Sequence, residues 1–236
     1  MIISDKLDDL HARIKHNRWM YYFWIFCRFA LAAGFLPSGY VKIIGERFTS
    51  LSNNHPMGHY LEALHHTGFY YTFIGVVQMM AALLLLFRRT ALLGAILYFP
   101  IILNICLLSI AVRFDGSLIS SPLMVLANAY LLCWDYDRIK PLLPFRQPKL
   151  LTPQPMSNRF PTLFFAGVFT TMVAVIIVLT QLVFDIRPRN TDADCRLQCR
   201  RSKNQSACEI FCDDIHREGK PLEQALESYH QIVGKK

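Results

Sequence analysis

Charge is what this chain has least of. Asp, Glu, Lys and Arg make up 18% of the residues against 53% hydrophobic, and the acids are the scarcer sign. That balance lies between ordinary soluble composition and a wholly embedded chain, so a membrane bundle with sizeable soluble parts is expected. The cysteines of the apolar regions, Cys27, Cys106 and Cys133, have no CxxC partner, and no haem or flavin motif accompanies them. A self-contained redox centre inside the apolar runs is therefore not expected. No inverted repeat or broken helix pair supports alternating-access transport. The N-terminal residues are charged and lead into a long run flanked by Trp19, Tyr21, Tyr22 and Trp24, which reads as a retained anchor and not as a cleavable signal. The net charge of +8 is accounted for by flanks facing anionic lipid and by a basic tail, so nucleic acid is not an expected partner.

What is present in abundance is apolar length. A hydrocarbon core about 30 Å thick needs roughly 20 apolar residues as helix. Trp19 to Pro37, Gly68 to Phe87, Thr90 to Val112, Leu118 to Trp134 and Thr162 to Phe184 read as five such crossings. Each must be helical, because backbone in lipid has to satisfy its own hydrogen bonds. Lys6, Arg13, Lys15, Arg18, Arg88, Arg89, Arg138, Lys140, Arg146, Lys149 and Arg159 fall on the side of the N-terminus, whereas the opposite loops hold only Lys42, Arg47 and Arg113. Positive residues are retained inside, so the N-terminus is expected in the cytoplasm and the C-terminus outside it.

The domain organisation follows. Residues 1–18, with Leu7, Leu10 and Ile14 at helical spacing, suit a short amphipathic lead-in at the inner surface. Residues 19–142 form a four-helix up-down bundle with short connections. Residues 143–161 are a basic linker within the proline-rich stretch Pro141, Pro144, Pro148, Pro153, Pro155 and Pro161. Residues 162–185 are the fifth crossing, and 186–236 a helical tail rich in cysteine. The fold class is thus an all-α membrane protein: a four-helix transmembrane bundle, a fifth transmembrane helix and a small disulfide-stapled tail.

Intramembrane polar residues raise a functional expectation. Here they are Arg28, Gln78, Asn104 and Asn128. Arg28 lies ten residues past Arg18, about 15 Å along a helix, too deep to reach the surface easily. No acid lies at matching depth, and Asp135 is the nearest. An unpaired arginine inside a bundle suits an anionic or carbonyl-bearing ligand such as a quinone head group. The alternative is that Gln78, Asn104 and Asn128 hydrogen-bond the guanidinium and hold the helices together. His55, His59, His65 and His66, with Glu62, lack the convergent donors a metal needs, so no metal is assigned.

Cys195-x3-Cys199, eight residues and Cys208-x3-Cys212 put each pair on one helical face, with a turn between. Folding that hairpin brings Cys199 against Cys208 and Cys195 against Cys212, a nested pair of disulfides. A tail of this size holds little core, which is where disulfides substitute for packing. A redox-active dithiol and a four-cysteine zinc site are the other readings. Pro221 would open a last helix whose apolar stripe is Leu222, Leu226, Tyr229 and Val233.

From Arg28 to about Leu142 the chain resembles the DoxX-like membrane proteins. The residues that carry this are Arg28, Pro37-Ser38-Gly39-Tyr40-Val41-Lys42, Gly75-x-x-Gln78, Asn104 and Cys133-Trp134-Asp135-Tyr136. The resemblance implies a four-helix membrane bundle in the bacterial inner membrane, with links to thiosulfate:quinone oxidoreduction, thiol redox balance or periplasmic disulfide formation. Together with the intramembrane polar residues, it leaves Arg28, Lys42, Gln78, Asn104 and Asn128 as the candidate ligand-binding set, with a quinone as a candidate cofactor and no cofactor fixed. The fifth crossing and the cysteine tail depart from the family pattern. A subunit that docks a periplasmic partner through its stapled tail is the competing expectation.

Overall fold

The computed structural model describes residues 11–139, 156–200, 202 and 204–234. Leu7 and Leu10 of the expected lead-in, and Pro141 to Pro155 of the expected linker, lie outside them. The described residues form helices joined by turns and loops, with one isolated bridge, Asn17 to Ser157. Helix α1 spans Arg18–Ile43, α2 Pro56–His65, α3 Phe69–Leu86, α4 Ala91–Ala111, α5 Ser120–Trp134 and α6 Thr162–Ile177, which runs on as a π turn over Val178–Leu182. Three short helices follow: α7 Asp192–Cys199, α8 Gln205–His216 and α9 Leu222–Gly234. Among the described residues, four helices are long and apolar enough to cross a membrane: α1, α3, α4 and Thr162–Leu182. The apolar α5 has 15 residues, so it is shorter than the others.

Local chemistry sets the boundaries. The Asn17 side chain accepts from the backbone N–H groups of Trp19 and Met20 and so starts α1. His55 does the same for α2 through Met57, with Pro56 at the first helical position. Thr191 and Asn204 cap α7 and α8 through Asp194 and Ala207. Proline does not end α1: the helix runs through Pro37 to Ile43, six residues beyond the expected crossing of Trp19 to Pro37. Packing against α3 accompanies this, and proline is tolerated inside membrane-length helices that neighbours surround. The outer loop also contains a helix, α2, that the sequence pattern did not announce.

Helix α1 packs on α3, α3 on α4, α4 on α5 and α5 back on α1, which closes a four-helix ring. Its core is built from Trp24, Leu31, Phe35, Ala81, Leu85 and Tyr98, with Phe35 and Tyr98 stacked at 3.6 Å between centroids. The end of the bundle where α1 begins is tied by Lys15 to Asp137 at 2.9 Å and by the Asn17 amide to the Arg159 carbonyl at 2.7 Å. Helix α6 stands apart. None of its residues is buried, and near its start Phe164 and Phe165 touch Phe23 of α1.

The tail has a core of its own, made by Phe211, Ile215, Ala225, Tyr229 and the four cysteines. The stripe Leu222, Leu226 and Tyr229 packs into that core, and Val233 alone of the four stays exposed. An apolar face left open for another protein is therefore not what α9 offers: the stripe is what a three-helix unit this small needs to close itself.

Candidate functional site

The crossing of α1 and α3 is set by two glycines. A Cβ on Gly75 would lie 2.8 Å from the Gly39 carbonyl oxygen and 2.7 Å from the Lys42 Cβ, and one on Gly39 would lie 2.9 Å from the Gly75 carbonyl oxygen. Backbone contact this close brings Ser38 and Lys42 of α1 onto Gln78 of α3. The Lys42 ammonium, 5% exposed, donates to the Ser38 carbonyl at 3.0 Å and to the Ser38 hydroxyl at 2.7 Å. The hydroxyl in turn donates to Gln78 Oε1 at 3.2 Å. The Phe48 ring covers the ammonium at 4.4 Å and Tyr71 stands at 5.9 Å. No carboxylate pairs with Lys42 among the described residues. A buried cation with three donors and two of them spent on one serine is suited to a partner that brings a lone pair or a negative charge.

Arg28 is placed differently. Its Nε donates to the Leu85 carbonyl at 2.7 Å and one terminal nitrogen to the Leu86 carbonyl at 2.6 Å, while the guanidinium lies 4.4 Å over the Trp24 ring. These are the last carbonyls of α3, which have no partner within their own helix. Arg28 is thus a cap: its positive charge sits at the negative end of α3 and its fork satisfies two orphan acceptors. Neither an acid nor the polar trio of the neighbouring helices neutralises it by hydrogen bond. Asp135, 7% exposed at the end of α5, adds a favourable field, and burial raises its own pKa against the pull of Arg138, Lys15, His11 and Arg28.

The remaining members of the expected set do not join Lys42. The Asn128 amide, fully buried, donates to the Ala95 carbonyl at 3.0 Å and links α5 to α4. Asn104 is exposed on the outside of the bundle, because the buried side of α4 is the one carrying Tyr98, Ile102, Cys106 and Ser109. Of the five, the structure brings together Lys42 and Gln78. Ser38, which joins them, was not among the expected site residues, although its spacing of four from Lys42 puts both on one helical face.

The histidines are separate from this cluster. Glu62 is held by Arg47 at 2.9 Å and His66 lies 3.6 Å from it. His55 is fully buried under the tail, its ring 6.1 Å from that of His216. Burial and His216 push His55 down to about 4, against smaller upward pulls from the Arg189 backbone and Asp115.

In the tail, Cys195 is bonded to Cys212 and Cys199 to Cys208, the nested arrangement. The sulfurs of the two bonds approach each other, Cys199 Sγ to Cys212 Sγ at 3.7 Å, and all four cysteines are buried. With the sulfurs in disulfides, a thiolate zinc site is not what the tail holds. The tail is fastened to the bundle by a reciprocal clasp. Asp115, in the turn between α4 and α5, accepts from Arg187 at 2.5 Å and from Arg189 at 3.1 Å. In the opposite direction Arg113 donates to the Ile186 carbonyl at 2.6 Å. Arg113 and Arg189 have φ of 53° and 56°, left-handed values that non-glycine residues seldom adopt and that persist where the surroundings fix them. Nothing in the spacing of these arginines pointed to the clasp, since its partners lie about seventy residues apart.

No protein-family model matches the chain, and no solved structure matches it. The chain is similar to the uncharacterized protein YwoB of Bacillus subtilis (strain 168), 39% identical over 89 residues, which is 38% of this chain and 56% of that protein. The chain thus spans little more than half the length of the curated relative it matches.

Proposed function

We propose that this chain is a DoxX-like integral membrane protein that holds a carbonyl-bearing carrier of the quinone class at Lys42 and Gln78, as a component of thiol- or sulfur-linked redox chemistry. The observation that carries the reading is the buried Lys42 ammonium, hydrogen-bonded through Ser38 to Gln78 and lacking a carboxylate. A quinone supplies carbonyl oxygens that accept from such donors and, once reduced, an anionic oxygen that an ammonium stabilises. Arg28 and Asn128, which donate to backbone carbonyls, act in this reading as structural ties. The proposed topology has five crossings in a bacterial inner membrane, the N-terminus in the cytoplasm and the tail in the periplasm. The electron donor would be a partner protein, since a quinone alone does not carry out sulfur chemistry.

Mass spectrometry of small molecules extracted from the intact protein in mild detergent tests this. A stoichiometric quinone is expected in the parent protein and in Arg28→Lys, with at least about a tenfold loss in Lys42→Met, the scale of one hydrogen bond to a charged group. Bulk lipid alone, unchanged in Lys42→Met, would overturn the reading. A non-enzymatic scaffold is the second reading, favoured by the clasp, which holds the tail in one fixed pose above the bundle. It predicts that Asp115→Ala loses a co-purifying partner that Lys42→Met retains.

A further inference from the structure

A polar cleft of 870 Å³ opens where the end of the fifth apolar helix meets the tail. One wall is the helix end itself, Thr180, Gln181 and Phe184; the other is cationic, with Arg187, Arg189 and Arg200. Arg187 and Arg189 share the one carboxylate of Asp115. The remaining acids facing the cleft are also engaged, Asp185 by Arg113 at 3.4 Å and Asp194 by the Thr191 hydroxyl at 2.7 Å. Three arginines line the cleft with three aspartates, but Asp185 is taken up by Arg113 from outside the lining, which leaves Arg200, exposed at the rim, as a cation that no acid holds among the described residues. Burial lowers the pKa of Arg187 against the pull of Asp115, so one of these charges is already partly desolvated.

Directly below the cleft, Thr162–Leu182 has none of its apolar window buried by protein. A polar chamber of ligand size, with an unpaired arginine at its rim, thus stands at the end of a membrane-length helix whose sides are bare.

We propose that this junction binds an anionic phospholipid, its phosphate in the cleft against Arg189 and Arg200 and its acyl chains along Thr162–Leu182. Charge and shape both select this occupant. The unpaired Arg200 calls for an anion, arginine matches phosphate oxygens by its fork, and the bare helix takes the chains in continuity with the cleft. A free phosphate would satisfy the first requirement and not the second. The site is remote in sequence from Lys42 and Gln78 and does not depend on any ligand there.

Native mass spectrometry of the full-length, disulfide-intact protein, delipidated and then titrated with phosphatidylglycerol or phosphatidylcholine of matched chains, tests the proposal. Phosphatidylglycerol should bind about tenfold more tightly, the scale of one charge-assisted contact at an interface. Arg200→Glu, at an exposed position outside the clasp, should bring the two lipids to within about twofold, with Cys195–Cys212 and Cys199–Cys208 still formed by peptide mapping. Equal affinity in the parent protein would overturn the proposal, as would a preference that survives Arg200→Glu. Displacement of phosphatidylglycerol by millimolar inorganic phosphate would overturn it in favour of a free anion.

Discussion

At the scale of single residues, the two buried cations of the bundle have opposite assignments. Arg28 spends its fork on the terminal carbonyls of α3, and the geometry of that fork is what matters. Arg28→Lys keeps the charge and loses the planar pair of donors, leaving at least one buried carbonyl unmet. A destabilisation of about 1.5–3 kcal/mol is expected, read as a lower unfolding midpoint in detergent with any quinone content unchanged. A midpoint equal to the parent's would mean that the carbonyls find other donors and that Arg28 has a different task. The sequence made Arg28 conspicuous but concealed its partners. Depth counted from Arg18 treats all helices as ending level, whereas α1 begins well before the turn that closes α3, so Arg28 meets a helix end and not a helix middle. Asn104 was more legible than it looked. Tyr98, Ile102, Cys106 and Ser109 recur on one face of α4, and a residue two places from Ile102 points about 200° away.

Among the elements, the tail is the one whose organisation its spacing most nearly determines. Two four-residue cysteine intervals around a turn leave one nested pairing that suits a hairpin, and α7 and α8 adopt it. The packing of Leu222, Leu226 and Tyr229 inward was not determined by spacing, because an amphipathic stripe says that something covers it and not what does. A unit this small relies on its crosslinks. Replacing either cysteine pair by serine should cost the tail about 2–5 kcal/mol. Cys195/Cys212, with 17 residues of separation against 9 for Cys199/Cys208, should cost the more by about half a kcal/mol on loop entropy. Urea dependence of limited proteolysis within 191–234 checks both numbers, and the opposite ranking would show that packing around the sulfurs outweighs loop length.

For the whole molecule, the contact between tail and bundle should respond to acid. His55 is buried where the tail docks, facing His216 of α8, the Arg189 backbone, and Asp115 and Phe114 of the α4–α5 turn. Its docked pKa of about 4 lies below its ordinary 6.5, so the undocked state binds the extra proton between these values. Docking is therefore at full strength above pH 6.5 and weakens as pH falls from there toward 4. Hydrogen exchange at Met57 and at 186–190 should rise over that interval. His55→Asn, which keeps a side chain able to cap α2 and cannot titrate, should flatten the profile. A parent profile already flat between pH 6.5 and 4 would remove His55 from the docking energetics.

The clasp also carries information about parity. Asp115 and Arg187 touch, so the chain leaves one aqueous face at residue 115 and is back on that same face by 187. Any path between two points on one side of a bilayer crosses it an even number of times. Among the described residues only α5 and Thr162–Leu182 lie between them as apolar helices, so a crossing by the second goes with a crossing by the first. Lys15 and Asp137, joined at the other end, impose the same rule on α1, α3, α4 and α5. A 15-residue helix covers only about 22 Å. The bilayer around α5 would then have to thin, or the flanking turns enter it, and the short helix would mark where this protein deforms its membrane.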